Sequence, residues 1–170
     1  MRTASVVRTF YFGEKESVGI YRVAFIGHRI FYELRACEEI LDDFLPTILR
    51  QYPFVEFYVG RNGDFDIFIA SYIKHLQKVY GDDNNTLNLV LPYYIKDMEY
   101  YEKYYDQIIL PIPDRTHVKA AITKRNEWMV DQCDLLIAYV ENHTGGAFQT
   151  VKYASRQNKP ILNLATMIKK

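Results

Sequence analysis

Apolar and polar residues alternate along the chain in two kinds of stretch. Residues 21–26 (YRVAFI), 54–59 (FVEFYV), 87–91 (LNLVL) and 135–140 (LLIAYV) are short and rich in aliphatic and aromatic side chains; Gly27, Gly60 and Pro92 halt the first three. Runs this apolar are strands buried on both faces, as in a parallel sheet covered by helices. Between them the period changes. Leu34, Cys37, Leu41, Phe44, Leu45 and Ile48 form one helical stripe across residues 32–50, which Pro46 is expected to kink or shorten. Phe65, Phe68, Ile69, Tyr72, Ile73, Leu76 and Val79 form a second stripe, with Asp64 as its expected cap and Gly81 as its stop.

The pattern is less regular over residues 93–114, which hold three tyrosine pairs, a short helix and a strand at 107–110. Helix returns at 116–132. Gly145-Gly146 then opens a helix with Ala147, Val151 and Ala154 on one face, and a last strand covers 160–164. Such alternation predicts βα units around a mostly parallel sheet, the α/β class. The expected architecture is a Rossmann-like three-layer sandwich, one domain over residues 21–170. Residues 1–20 do not fit the alternation, and 5–12 read as an edge strand or a poorly ordered arm.

Charge narrows the partners. Lysine plus arginine equals aspartate plus glutamate, 21 against 21, so no global field draws polyanions, and the expectation is against a nucleic-acid partner. No apolar run reaches the ~18–20 residues of a membrane span, and residues 1–12 lack a signal peptide's apolar core. A cytoplasmic protein without a membrane partner is expected. Cys37 and Cys133 stand in neither a zinc nor a redox spacing, and the histidines share no metal-ligand spacing, so neither metal nor cofactor is implied. The tyrosine pairs at 93–94, 100–101 and 104–105 suit base stacking, core packing or a dimer surface; the segment 100–105 points to a homodimer.

Three strand ends carry the candidate chemistry: Gly27-His28-Arg29, Gly60-Arg61-Asn62-Gly63 and Gly145-Gly146-Ala147. In open α/β sheets ligands sit outside the carboxyl ends of strands, where glycine lets backbone N–H groups approach and a following helix offers its positive end to phosphate. Glycines that merely end strands are the plainer alternative. Arg29 and Arg125 offer forked donors for phosphate or carboxylate, and Asn126 offers an amide for a ribose hydroxyl or a base edge. Asp66 is placed to accept from a ribose, and His28 to donate to a phosphate. Ordinary surface ion pairs are the competing reading for both arginines.

Residues 25–29 (FIGHR), 60–66 (GRNGDFD), 90–94 (VLPYY), 124–131 (KRNEWMVD), and Gly145-Gly146-Ala147 with Thr150 occur in an order that resembles the YpsA-like branch of the SLOG superfamily. That superfamily includes the DNA-processing DprA/Smf proteins and the "lonely guy" phosphoribohydrolases. The resemblance spans residues 21–165. It implies a Rossmann-like sheet and a pocket for nucleotides or ADP-ribose-like molecules, framed by Gly27, Arg29, Gly60, Gly63, Asp66, Arg125, Asn126, Gly145, Gly146 and Thr150. The hydrolases carry a turn of the form PGGxGTxxE whose glutamate works in catalysis. Here Phe148 replaces the next glycine and Lys152 stands at the glutamate position. The expected function is therefore a sensor-like binding domain. The alternative is an N-glycosidic hydrolase or transferase using Asp66, Glu127 or Asp131.

Overall fold

A computed structural model describes residues 19–168. Six strands, β1 (Ile20–Gly27), β2 (Phe54–Val59), β3 (Asn85–Val90), β4 (Gln107–Ile109), β5 (Leu135–Tyr139) and β6 (Ile161–Asn163), pair in parallel in the order β4-β3-β2-β1-β5-β6. Among the described residues six helices connect or follow them: α1 (Leu34–Gln51), α2 (Asp64–Tyr80), α3 (Met98–Tyr104), α4 (Val118–Gln132), α5 (Gly146–Arg156) and α6 (Leu164–Met167). The α/β Rossmann-like fold expected from the alternation is the fold observed.

Side-chain alternation builds the three layers. Val23 and Phe25 of β1, with Phe57 of β2 and Ile137 of β5, face α1 and α2 through Leu41, Phe44, Ile69 and Ile73. Their neighbours Ala24, Ile26 and Leu136 face α4 and α5 through Met129, Val130 and Ala154. Central strands thus carry apolar residues on both faces, which is why their sequence runs show no polar alternation. A smaller cluster of Leu89, Leu91 and Ile95 lies under Met98 and Tyr101 beside the β4 edge.

Two expectations are corrected locally. Asp64 is the first residue of α2, not its cap. Gly63 precedes the helix in extended backbone, and Asp64 Oδ2 accepts the N–H of Phe31 at 3.4 Å. Pro46 does not shorten α1, which runs on to Gln51. The ring leaves the Asp42 carbonyl without its helical donor, and Asp42 is exposed, its Oδ1 accepting the Tyr72 hydroxyl at 2.7 Å. The edge strand or arm expected at 5–12 lies outside the described residues.

The chain leaves β1 toward β2 on one side, while β5 lies on the other. Connections at the carboxyl ends of β1 and β5 therefore diverge and leave a crevice between them, the topological switch point of an open α/β sheet. At the opposite end the two strands are tied by Asp134, whose N–H donates to the Arg22 carbonyl and whose Oδ2 accepts the Arg22 N–H at 2.9 Å. Among the described residues, no helix is long and apolar enough to cross a membrane, and no group of three His, Cys, Asp or Glu is placed to hold a metal.

Candidate functional site

The crevice contains a cleft of about 580 Å³. Each of the three glycine-marked strand ends reaches it. Gly27, His28 and Arg29 come from the end of β1; Gly60, Asn62 and Gly63 follow β2; Asp66 comes from the first turn of α2. Arg125 and Asn126 project from α4, and Gly145, Gly146 and Ala147 close the far wall at the start of α5. Thr150 is the one expected residue that does not line the cleft. It is buried, and its hydroxyl donates to the Gly146 carbonyl at 2.8 Å within α5. Ile26, Ile30, Ile122 and Asn142 also line the cleft, and none was marked by the strand-end glycines.

The glycines are there for different reasons. A Cβ at Gly27 would lie 2.2 Å from the Phe65 ring, so this glycine lets α2 seat against the end of β1. At Gly63 a Cβ would meet the Arg29 Cα at 2.7 Å, where two loops cross. At Gly60 it would lie 2.7 Å from Arg125 Nη1 and 3.0 Å from Asp66 Oδ2. Gly145 has φ of +91°, which favours glycine, whereas a Cβ at Gly146 would meet nothing within 4 Å. The start of α5 lines the cleft and has no side-chain cap, which leaves its first N–H groups without a capping side chain.

Arg125 is 4% exposed, which overturns the surface-ion-pair alternative for it. Its Nη1 donates to the Val90 carbonyl at 2.8 Å and its Nε to Asn126 Oδ1 at 2.8 Å. Because the guanidinium can only donate, the Asn126 oxygen must face it, leaving the amide N–H₂ of Asn126 for another acceptor. Among the described residues no carboxylate oxygen lies within 4 Å of the Arg125 guanidinium. Desolvation lowers its pKa, and the charge of Asp66 opposes that shift. Asp66 is its strongest electrostatic partner and is itself raised from 3.8 to about 6. Burial is the main cause, opposed by Arg125 and by the Asn62 N–H that donates to Oδ2 at 3.1 Å. The cleft thus holds a buried cation with incomplete compensation beside an acid that ionises with difficulty.

His28 is committed differently from the expectation that it donates to phosphate. Its Nε2 accepts the N–H of Glu141 at 2.8 Å and that of Asn142 at 3.3 Å, pinning the loop after β5. The Nε2 lone pair is therefore in use, and the ring proton sits on Nδ1. Arg29 is exposed, with Nε 3.3 Å from the Asn62 carbonyl. Lys152 is exposed on α5 with its ammonium 5.7 Å from the centre of the Phe148 ring, away from the cleft lining. None of the paired tyrosines lines the cleft; Tyr101 instead accepts a hydrogen bond from Arg61 Nη1 at 2.9 Å.

No family model matches the sequence, and neither does any curated protein. Among solved structures, DNA processing protein A (DprA) from Streptococcus pneumoniae superposes with a TM-score of 0.60 at 16% identity, covering 84% of this chain and 49% of that one. DprA from Helicobacter pylori superposes with a TM-score of 0.57 at 15% identity, covering 83% of this chain and 63% of that one. The chain is similar to DprA in fold. It spans about half to two thirds of those proteins, and at such identity the likeness concerns the fold alone. The Helicobacter protein is described as binding single-stranded DNA, so a DprA-like fold is compatible with nucleic acid. The expectation against a nucleic-acid partner is corrected accordingly. Its basis was net charge, which averages over the surface and is blind to a cation such as Arg125 inside a cleft.

Proposed function

We propose that the chain is a SLOG-type binding domain, of the YpsA-like branch, whose cleft takes the phosphate of a nucleotide or nucleotide-derived molecule such as an ADP-ribose derivative. The observation that carries this reading is Arg125, a buried guanidinium lining the cleft without a carboxylate within 4 Å among the described residues. A buried charge is costly unless it is paired, and an ionised phosphate oxygen supplies the missing partner in bidentate geometry. Asn126 N–H₂ and the open start of α5 add neutral donors on either side, the arrangement that anions take at helix N-termini. The motif order over residues 21–165 and the DprA-like fold support the superfamily assignment.

A second reading shares the same phosphate chemistry, with a single-stranded DNA backbone as its source; the DprA likeness favours it. A thermal-shift panel separates the two. The panel contains AMP, ADP-ribose and oligothymidylates of increasing length. Stabilisation by ADP-ribose without a gain from oligomer length supports the small-molecule reading, since a ligand bound only by the folded state raises its melting temperature by mass action. Stabilisation that grows with oligomer length and collapses with salt supports DNA. Arg125→Ala is expected to weaken whichever ligand binds by about 1.5–3 kcal/mol, the worth of a hydrogen bond to a charged group. Unchanged affinity in folded Arg125→Ala protein overturns both readings.

A further inference from the structure

The cleft contains an acid where an anion is expected to bind. Asp66 and Arg125 border the same space over Gly60, since a methyl group there would touch both. Asp66 is the Arg125 guanidinium's main countercharge, and because both line the cleft beside Gly60 a phosphate reaching Arg125 must approach that carboxylate. Two anions side by side in a partly desolvated site repel strongly, and the cheaper outcome is that the weaker acid's conjugate base accepts a proton.

We propose that anion binding in this cleft is coupled to uptake of one proton by Asp66, the ligand's phosphate replacing the Asp66 carboxylate as the countercharge of Arg125. This rests on the cleft being a phosphate site. The proton comes from solvent and adds to a carboxylate oxygen of Asp66, converting it from a repelling acceptor into a donor toward the ligand. The surroundings favour that change. Burial already holds the carboxyl at about 6, within reach of neutral pH, and removal of the Arg125 field by a bound anion raises it further. The Asn62 N–H opposes protonation only as a single neutral donor.

The other titratable and charged groups near Asp66 and Arg125 do not substitute for Asp66. From α4, Arg125 stays charged. Tyr105, after α3, is held as a neutral phenol by burial first and then by the nearby Tyr104 and Asp66. Tyr93 acts on Arg125 from the loop after β3, and Arg61 acts on Tyr105. From the loop after β1, Arg29 is a cation. His28 already uses Nε2 to accept two backbone N–H groups of the loop after β5.

The test is titration calorimetry of the full chain with ADP-ribose at pH 5, 6, 7 and 8, in buffers of different ionisation enthalpy. ADP-ribose is chosen because its bridging phosphates carry no second ionisation, unlike a phosphate monoester with a pKa near ~6. Proton uptake close to zero at pH 5, rising toward one per ligand at pH 8, is expected. Affinity is expected to fall about tenfold per pH unit above 6. Asp66→Asn is expected to bind without proton uptake, with flat affinity across this range, and more tightly than the native chain at pH 8. Binding by the native chain with flat affinity and no uptake overturns the coupling while leaving the phosphate reading intact. Uptake that persists in Asp66→Asn assigns the proton elsewhere and overturns it as well. Absence of ADP-ribose binding at pH 5, where Asp66 is already neutral, overturns the small-molecule phosphate reading together with this inference.

Discussion

Replacing Gly60 by alanine tests whether the cleft is built around the position of Arg125. The backbone at Gly60 is not in the left-handed region, so alanine meets no conformational penalty there, and its reduced freedom in the unfolded chain favours folding by about 0.4–1 kcal/mol. Against this, the new methyl would lie 2.7 Å from Arg125 Nη1, a separation real Cβ atoms essentially never show. The guanidinium cannot yield freely, because Nη1 is bonded to the Val90 carbonyl and Nε to Asn126, and the side chain is buried. Loss of the bond to Val90 leaves a desolvated carbonyl without its charged donor, a cost of about 1.5–3 kcal/mol. The net expectation is destabilisation by about 1–2 kcal/mol, and a melting temperature lower by about 2–8 °C for a domain of this size. Gly146→Ala is the control, since its Cβ enters open space at the start of a helix and leaves stability unchanged or slightly raised. Scanning calorimetry of the two variants beside the native chain reads the difference. A Gly60→Ala protein as stable as Gly146→Ala would refute the claim that Arg125 is held in place.

Three further outcomes follow from individual contacts. Gly27→Ala drives a methyl to 2.2 Å from the fully buried Phe65 ring, so an overpacking loss of about 1–3 kcal/mol is expected in urea denaturation; an unshifted midpoint contradicts it. Asp66 ionises at 3.8 when unfolded and at about 6 when folded, so the folded state holds the extra proton between those values. Stability falls as pH rises through that window and stays reduced above it, by about 2–3 kcal/mol at ~1.4 kcal/mol per unit. Asp66→Asn is therefore expected to melt higher than the native chain at pH 7.5 and together with it below pH 4, and a lower melting point at pH 7.5 counts against the burial argument. Finally, neither the native chain nor Lys152→Glu is expected to release free base from AMP over hours at micromolar protein, because position 152 lies outside the cleft lining; chromatographic detection of adenine from either protein reverses this.

The strands around the site were legible because each element carries its own stop. Gly27 ends β1 and Gly60 follows β2, and the strand-end rule then places both beside the Gly145 turn without any knowledge of distances. What periodicity could not provide was the purpose of each glycine. Gly27 makes room for Phe65, Gly63 for the backbone of Arg29 and Gly60 for a guanidinium, and these needs are set by residues 34 to 65 positions away. Asn142 had no local signal at all, being held near the cleft through its backbone bond to His28. Thr150 sat at the right offset from the glycine turn, yet the regular geometry of α5 turns its hydroxyl back onto Gly146.

Arg125 and Asn126 did carry a signal that composition obscured. Ile122, Arg125, Asn126 and Met129 fall at i, i+3, i+4 and i+7 of α4, one face of a helix whose other buried members pack on the sheet. A charged and a polar residue inside an otherwise apolar stripe are either misplaced or buried for use. The chain's 21 cations and 21 anions cancel in sum, but the strength of an ionic site depends on desolvation and local pairing, not on the sum. Most of the charges are solvated and screened. Arg125 is not, and among the described residues its main countercharge is Asp66, an acid that burial holds at about 6. A neutral protein can therefore present a strong anion site at one point of its fold, and the same imbalance that makes that point costly to fold makes it ready to bind.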